Sequence, residues 1–375
     1  MRCSLDKITI EGFKSIRSLQ DFELAKLNIL IGANGAGKSN FVDFFRMLRA
    51  MFQSGLRQFI TERGGADGFL FGGPKETSQM EAHLRFGQNE YAFILSPTAN
   101  NDFMVKEEKT FYRGTWDAKG SWRLHPGGRL ESNLKYWKDQ ESPWWSGYPS
   151  VEGHVYNAVA SWVVYHFHDT SIKAAMRRDW SVADWRELNP EASNIAPFLF
   201  HLRQNNRQTY ERIVETIQMV TPFFDDFLLE PENKGQNEVI RLQWQQKGSS
   251  YPFQPWQFSD GTLRFICLTT ALLQPNPPST VVIDEPELGL HPFALDLLAG
   301  LLKETSQKRT QLVVSTQSVS LLNHFEPQEV IVVDREKGAS SFKRLEAETL
   351  ANWMEQFSLG ELWHKNILDG GPVNE

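Results

Sequence analysis

The sequence predicts an α/β fold with a mixed, mostly parallel sheet around a glycine-rich loop, an antiparallel N-terminal layer, and an inserted helical or irregular lobe. Three observations predict it. The segment Gly32-Ala33-Asn34-Gly35-Ala36-Gly37-Lys38-Ser39 stands between the apolar run Leu27–Ile31 and a helical pattern. The last third of the chain alternates helix and strand patterns, which implies parallel strands joined by right-handed crossovers. Segments 79–86, 90–95 and 103–113 read as the strands of an antiparallel layer.

Taken in order, residues 5–31 place Ile8, Ile10, Phe13 and Ile16 in near alternation before the apolar run, so two or three strands lead into a buried one. From Asn40 to Phe52, Phe41, Phe44, Phe45, Leu48 and Met51 or Phe52 recur at the spacing of one helical face. Residues 114–150 show no period, many Gly, Pro and Trp, and read as an insertion or long loop. Segment 160–168 (ASWVVYHFH) reads as a buried strand. Tyr210, Ile213, Val214 and Ile217 mark a helix that stops before Pro222, and Val239–Trp244 reads as a strand. A helix over 261–273 follows, then strand 280–284, helix 293–304, strands 311–315, 329–333 and 341–345, and helix 347–357.

Composition narrows the class. The chain has 39 Lys and Arg against 46 Asp and Glu, a net charge of −7, which argues against indiscriminate coating of nucleic acid and leaves room only for a local basic groove. Its 2 cysteines are too few for a disulfide framework or a thiolate metal cluster and fit a reducing, cytoplasmic setting. No run of about 18 apolar residues is present, so no membrane span is expected.

The glycine loop has the full GxxxxGK[ST] pattern in its strand-to-helix context. Backbone N–H groups from Asn34, Gly35, Ala36, Gly37, Lys38, Ser39 and Asn40 and the following helix N-terminus can face the phosphates of ATP. Lys38 adds a cation, and the Ser39 hydroxyl is expected to ligate Mg²⁺. The strand Val281-Val282-Ile283 ends in Asp284-Glu285. Asp284 is suited to the Mg²⁺ shell, and Glu285 to the attacking water as a general base or orienter. Between these motifs, Phe258-Ser259-Asp260-Gly261-Thr262-Leu263-Arg264 joins a Ser hydroxyl, a Gly N–H and a helix start, which is either a helix cap or an anion site.

With Ser259-Asp260-Gly261-Thr262 the chain resembles the ABC-type ATPase heads, in the branch that includes RecF, SMC heads and OLD-like proteins. The resemblance spans residues 5–35, the loop helix, and about 200 to the end. It implies a head whose N-terminal part is 1–96, an insertion or lid lobe over 97–200, and a helical segment with the C-terminal part over 201–375. It further implies that Ser259, Asp260 and Gly261 serve the nucleotide of a second copy, giving a homodimer or higher homo-oligomer with ATP sandwiched between heads. Leu288-Gly289-Leu290-His291-Pro292 stands where the family has its D-loop, and His291-Pro292 is a helix lead-in. Gly12-Phe13-Lys14-Ser15-Ile16 matches the family's first hairpin, with Lys14 on the nucleotide's α-phosphate side. Gln317 stands where most relatives carry a switch histidine, and glutamine can hydrogen-bond a phosphate or align water but cannot take a proton. Gln79 and Gln88 are Q-loop candidates by position alone.

Two features leave alternatives open. Tyr165-His166-Phe167-His168-Asp169-Thr170 puts two histidines on one strand face, but without a further His or Cys cluster it reads as a strand end before it reads as a metal site. Trp116, Trp122, Trp137, Trp144, Trp145 and Trp162 lie near Arg113, Arg123, Arg129, Lys135 and Lys138. That texture suits a nucleic-acid stacking platform, or the core or partner face of an inserted lobe. The resemblance, with no coiled-coil arms and about 90 residues after Glu285, leaves no room for a Toprim domain and implies an ATPase that signals to a separate effector, a nuclease or toxin, in bacterial antiphage defence. A RecF-like repair clamp is the alternative, and a transporter subunit is disfavoured by Gln317.

Overall fold

The computed structural model describes residues 4–114, 120–139, 150–308 and 310–371. The chain opens with β1 (Lys7–Phe13), β2 (Ile16–Glu23) and β3 (Leu27–Ile31), followed by helices α1 (Lys38–Phe52) and α2 (Leu56–Thr61). Strands β4 (Met80–Phe86), β5 (Asn89–Pro97), β6 (Phe103–Tyr112) and β7 (Ser121–His125) come next. They join β1 and β2 in a six-stranded antiparallel sheet of order β2-β1-β4-β5-β6-β7. Short α3 (Leu134–Trp137) and α4 (Val151–Ala160) then lead to β8 (Val163–Tyr165).

A two-residue β9 (Trp180–Ser181) precedes α5 (Ile195–Asn205) and α6 (Arg207–Val220). Strands β10 (Phe224–Leu228), β11 (Glu232–Lys234), β12 (Asn237–Ile240) and β13 (Gln243–Gln246) build two small sheets, β10-β13 and β11-β12-β9. The remaining elements are α7 (Asp260–Leu273), β14 (Thr280–Asp284), α8 (Pro292–Gln307), β15 (Gln311–Ser315), α9 (Val319–Leu322), β16 (Val330–Glu336), β17 (Ala339–Arg344), α10 (Ala347–Met354) and α11 (Leu359–His364).

The second large sheet has order β17-β16-β3-β15-β14-β8, parallel throughout except for the β16/β17 hairpin. Both of its faces are covered. Val281, Ile283, Leu312 and Val314 face a core shared with α5 to α8, while Val282 and Val313 face α1 and the antiparallel sheet. This two-sided burial is why these strands read as unbroken apolar runs. Helix α1 lies in the second core, its phenylalanines meeting both layers: Phe44 is 5.4 Å from Phe13, Phe45 is 5.2 Å from Trp162, and Phe52 is 5.3 Å from Tyr91 between ring centroids.

Three expectations need correction. The strand expected over 160–168 is only β8, because α4 runs to Ala160 and pairing with β14 ends at Tyr165. The strand expected over Val239–Trp244 divides into β12 and β13, which belong to different sheets, so its apolar residues serve separate pairings. The helix expected over 347–357 stops at Met354. Segment 97–200 supplies β6 and β7 to the antiparallel sheet and β8 to an edge of the parallel one. Of the tryptophans, Trp162 is fully buried and Trp122 is 44% exposed, while Trp116, Trp144 and Trp145 fall outside the described residues. No helix among the described residues is long and apolar enough to cross a membrane.

Trp162 joins α1 to the antiparallel layer through Phe45 and Phe86. Trp162→Ala is expected to cost about 3–5 kcal/mol, read from the urea midpoint. Trp162→Phe is expected to cost less than that, because the indole Nε1 has no hydrogen-bond partner to lose.

Candidate functional site

The parallel register brings the C-terminal ends of β3, β15 and β14 to one edge of the sheet. From β3 the chain turns through Gly32, Gly35 and Gly37, whose φ angles are 153°, 83° and 120°. Only glycine fits the tightest of these places, since a Cβ on Gly32 would strike the Val333 carbonyl and one on Gly37 the Ser340 hydroxyl. The loop is braced from outside: Ser340 Oγ donates to Ala36 O at 2.5 Å, and Asn40 Nδ2 donates to Ser15 Oγ at 2.7 Å. Lys38 is buried and turns inward, donating to Gly32 O at 2.6 Å and Ala33 O at 3.1 Å. Burial pulls its pKa down, against Glu285, Asp284 and Glu287, which favour its charge. Asn34, Gly35 and Ser39 are exposed around this loop.

Asp284, at the end of β14, accepts the Ser315 hydroxyl from the neighbouring strand end. The next residue, Glu285, has φ 45°, a left-handed conformation that non-glycine residues rarely hold, fixed by its N–H to Ser315 O at 2.9 Å. Gln317 closes the group, its side-chain amide donating to the Glu285 carboxylate and its backbone N–H to Glu287 Oε1 at 2.7 Å. The other Glu287 oxygen is buried without a partner, and burial raises this carboxyl's pKa. Glycine turns, an inward cation and a hydroxyl-plus-carboxylate oxygen set at Ser39 and Asp284 fit a triphosphate with a hard divalent cation.

The Ser259 segment forms a separate unit. Ser259 caps α7, accepting the Thr262 N–H at 3.1 Å. Arg177, nearly fully buried, ties the segment from behind: it donates to the Pro255 and Phe258 carbonyls and meets Asp260 Oδ1 at 3.0 Å. Arg264, in α7 itself, donates to the Leu288 carbonyl, to Phe167 O at 2.9 Å and to His168 O at 3.2 Å. A Cβ on Gly261 would strike the Gly289 carbonyl, so α7 and the 288–290 turn are in backbone contact. His291 caps α8, with Pro292 at its first position, as a structural lead-in does.

The Lys14 ammonium pairs with Asp43 at 2.6 Å, beside the Arg46–Asp43 pair at 2.7 Å. Against the upward push of burial, these two cations hold Asp43 below the usual carboxylate range. Gln79 bonds Glu81 and Lys106 in the antiparallel sheet. Sequence reading gave no role to Ser15, Ser315, Ser340, Glu287, Arg177 and Arg264. Ser340 and Arg177 reach the site from elements remote in the chain, while the other four stand in or beside segments already singled out, Glu287 as a third carboxylate two residues past Glu285. His166 and His168, left open before, stand beside Asp284: His168 Nε2 donates to Asp284 O at 2.8 Å, and the rings lie 4.2 Å apart. Burial first, then His168 and Arg46, pull the His166 pKa down to about 4.

The class this defines is a P-loop ATPase head. Residues 27–323 match the family described as "AAA domain, putative AbiEii toxin, Type IV TA system", and the chain belongs to it. Among solved structures it is similar to an SMC head bound to the C-terminal winged-helix domain of ScpA, with TM-score 0.54, 16% identity, and coverage of 93% of this chain and 99% of that one. A second, an SMC head with an extended coiled coil bound to the C-terminal domain of ScpA from Pyrococcus furiosus, gives TM-score 0.51, 16% identity, and coverage of 94% and 98%. At that identity the likeness concerns the fold. A curated relative, the uncharacterized protein MJECL10 of Methanocaldococcus jannaschii, is 25% identical over 141 residues, 36% of this chain and 61% of the relative.

Gly261→Ala is expected to push the Ser259 turn off the 288–290 turn. We expect ATP-dependent association, followed by sedimentation, to fall while nucleotide binding by the single chain, followed by dialysis, persists.

Proposed function

We propose that the chain hydrolyses Mg–ATP, with each nucleotide bound by Lys38 and the glycine loop of one copy and covered by Ser259, Asp260 and Gly261 of another. The reading is carried by the convergence of Lys38, Asp284, Glu285 and Gln317 at one sheet edge, with the exposed Ser259 turn on a different element. Ser39 and Asp284 hold the cation, which when bound neutralises charge on the β- and γ-phosphates. Glu285 faces the attacking water. As the water oxygen bonds to the γ-phosphorus, the bond to the bridging oxygen breaks, ADP leaves, and Glu285 receives the proton. Gln317 takes no proton; its amide fixes the Glu285 carboxylate and gives the site a fixed dipole.

Head engagement then reports nucleotide state to a separate effector, a nuclease or toxin, in bacterial antiphage defence. The family description, which names a toxin and a toxin–antitoxin system, supports an output through a partner protein. A second protein is also seated on the SMC heads of like fold. Direct DNA binding that weakens steeply with salt would instead favour the repair-clamp reading.

The test compares wild type, Lys38→Ala and Glu285→Gln in Mg–ATP by ATPase rate and sedimentation. Glu285→Gln is expected to lose about 10²–10⁴-fold in kcat and to remain loaded and associated; Lys38→Ala is expected to neither bind nor associate. Rapid turnover by Glu285→Gln would overturn the assignment. For Gln317, the pH–rate profile should carry no limb that disappears in Gln317→Ala, since an amide does not titrate; such a limb would contradict its role.

A further inference from the structure

Strand β8 lies beside β14 in parallel register, with Val163, Val164 and Tyr165 opposite Val281, Val282 and Ile283. Continuing that register brings the segment after β8 alongside Asp284. One ring nitrogen each from His166 and His168 and one carboxylate oxygen of Asp284 lie within 4.8 Å of one another. Ligand atoms side by side on one cation, each bonded at about 2.1 Å, lie about 3 Å apart, so the side chains must draw together when the ion binds.

The two imidazoles are not equivalent. His168 Nε2 faces the Asp284 carbonyl at 2.8 Å, and a carbonyl only accepts, so Nε2 is the donor there and Nδ1 is the ring nitrogen outside that bond. This is how metal-binding histidines are commonly oriented, with one nitrogen donating to a backbone carbonyl and the other left for the metal. His166 has the opposite constraint. The Arg46 guanidinium donates to its Nδ1 at 3.2 Å, which leaves the proton on Nε2 and makes the ring a donor. Its ring, 4.2 Å from that of His168, acts by position, holding the neighbour against Asp284. Arg264 secures the same segment by donating to the Phe167 and His168 carbonyls.

We propose that His168 supplies an imidazole ligand to the divalent cation held by Asp284, so that this site takes first-row transition ions such as Mn²⁺ in preference to Mg²⁺. The proposal rests on the reading of Asp284 as the cation's carboxylate. Mg²⁺ favours an all-oxygen shell, whereas imidazole nitrogen raises affinity along the series from Mn²⁺ towards Cu²⁺. A protein with this ligand would turn over on Mn–ATP at cation levels too low for Mg–ATP.

The experiment uses tag-free full chain loaded with Mn²⁺ alone and, separately, with Mn²⁺ plus a non-hydrolysable ATP analogue, read by electron spin-echo envelope modulation. Wild type is expected to show imidazole-nitrogen modulation from bound Mn²⁺. His168→Gln, which keeps a polar side chain of similar reach, is expected to lose it and to bind Mn²⁺ at least about tenfold more weakly. His166→Gln is expected to retain the modulation. Bound Mn²⁺ without nitrogen modulation in wild type, modulation that survives in His168→Gln, or no bound Mn²⁺ in either arm would overturn the proposal. Analogue binding is followed independently by dialysis. Analogue bound with no nitrogen on Mn²⁺ defeats this inference and spares the ATPase reading; nitrogen on Mn²⁺ with no analogue bound does the reverse.

Discussion

The parallel pairing of β3, β15 and β14 is the constraint on which the site depends. Side by side and pointing the same way, these strands deliver Lys38, Gln317 and the Asp284–Glu285 pair to one edge. Open α/β sheets place ligands beyond the carboxyl ends of their strands for this reason. Asp284 and Ser315 are register partners, and their side chains join across that pairing. A one-residue slip would turn alternate side chains to the opposite face and separate the carboxylates from the glycine loop.

Two nearly buried arginines hold the Ser259 segment in place. A buried guanidinium is costly unless its donors are satisfied, and Arg177 and Arg264 are satisfied largely by backbone carbonyls. Arg177 fixes the loop before Ser259, while Arg264 ties α7 to both the 288–290 turn and the segment after β8. Ser259 is therefore set on the same framework as the β14 end that carries Asp284 and the segment after β8 that carries His168. In the proposed two-copy arrangement, that framework is a short, bonded route from one copy's nucleotide to the surface offered to a second copy.

Legibility followed locality. The glycine loop, its strand and its helix are contiguous, so pattern and chemistry were readable together; the same holds for β14 and its carboxylates. The Ser259 turn was readable as a cap and acquired its second meaning from family resemblance. By contrast, Ser340 braces the loop from 304 positions away and Arg177 grips Phe258 from 81, and no local pattern encodes such partnerships. Lys14 has a partner of the same kind: Asp43 of α1 holds its ammonium, a contact that its own motif does not encode. The two histidines after β8 read as a strand end before a metal site, and it is the parallel register that places them beside Asp284.

The two-copy arrangement is tested most directly by a nucleotide-loaded structure of the Glu285→Gln protein with ATP. The account predicts Ser259 Oγ within about 3 Å of a γ-phosphate oxygen whose other side is held by Lys38 of a different copy. An ATP-bound assembly in which every Ser259 hydroxyl lies away from all phosphates would contradict it, even with the glycine loop fully occupied.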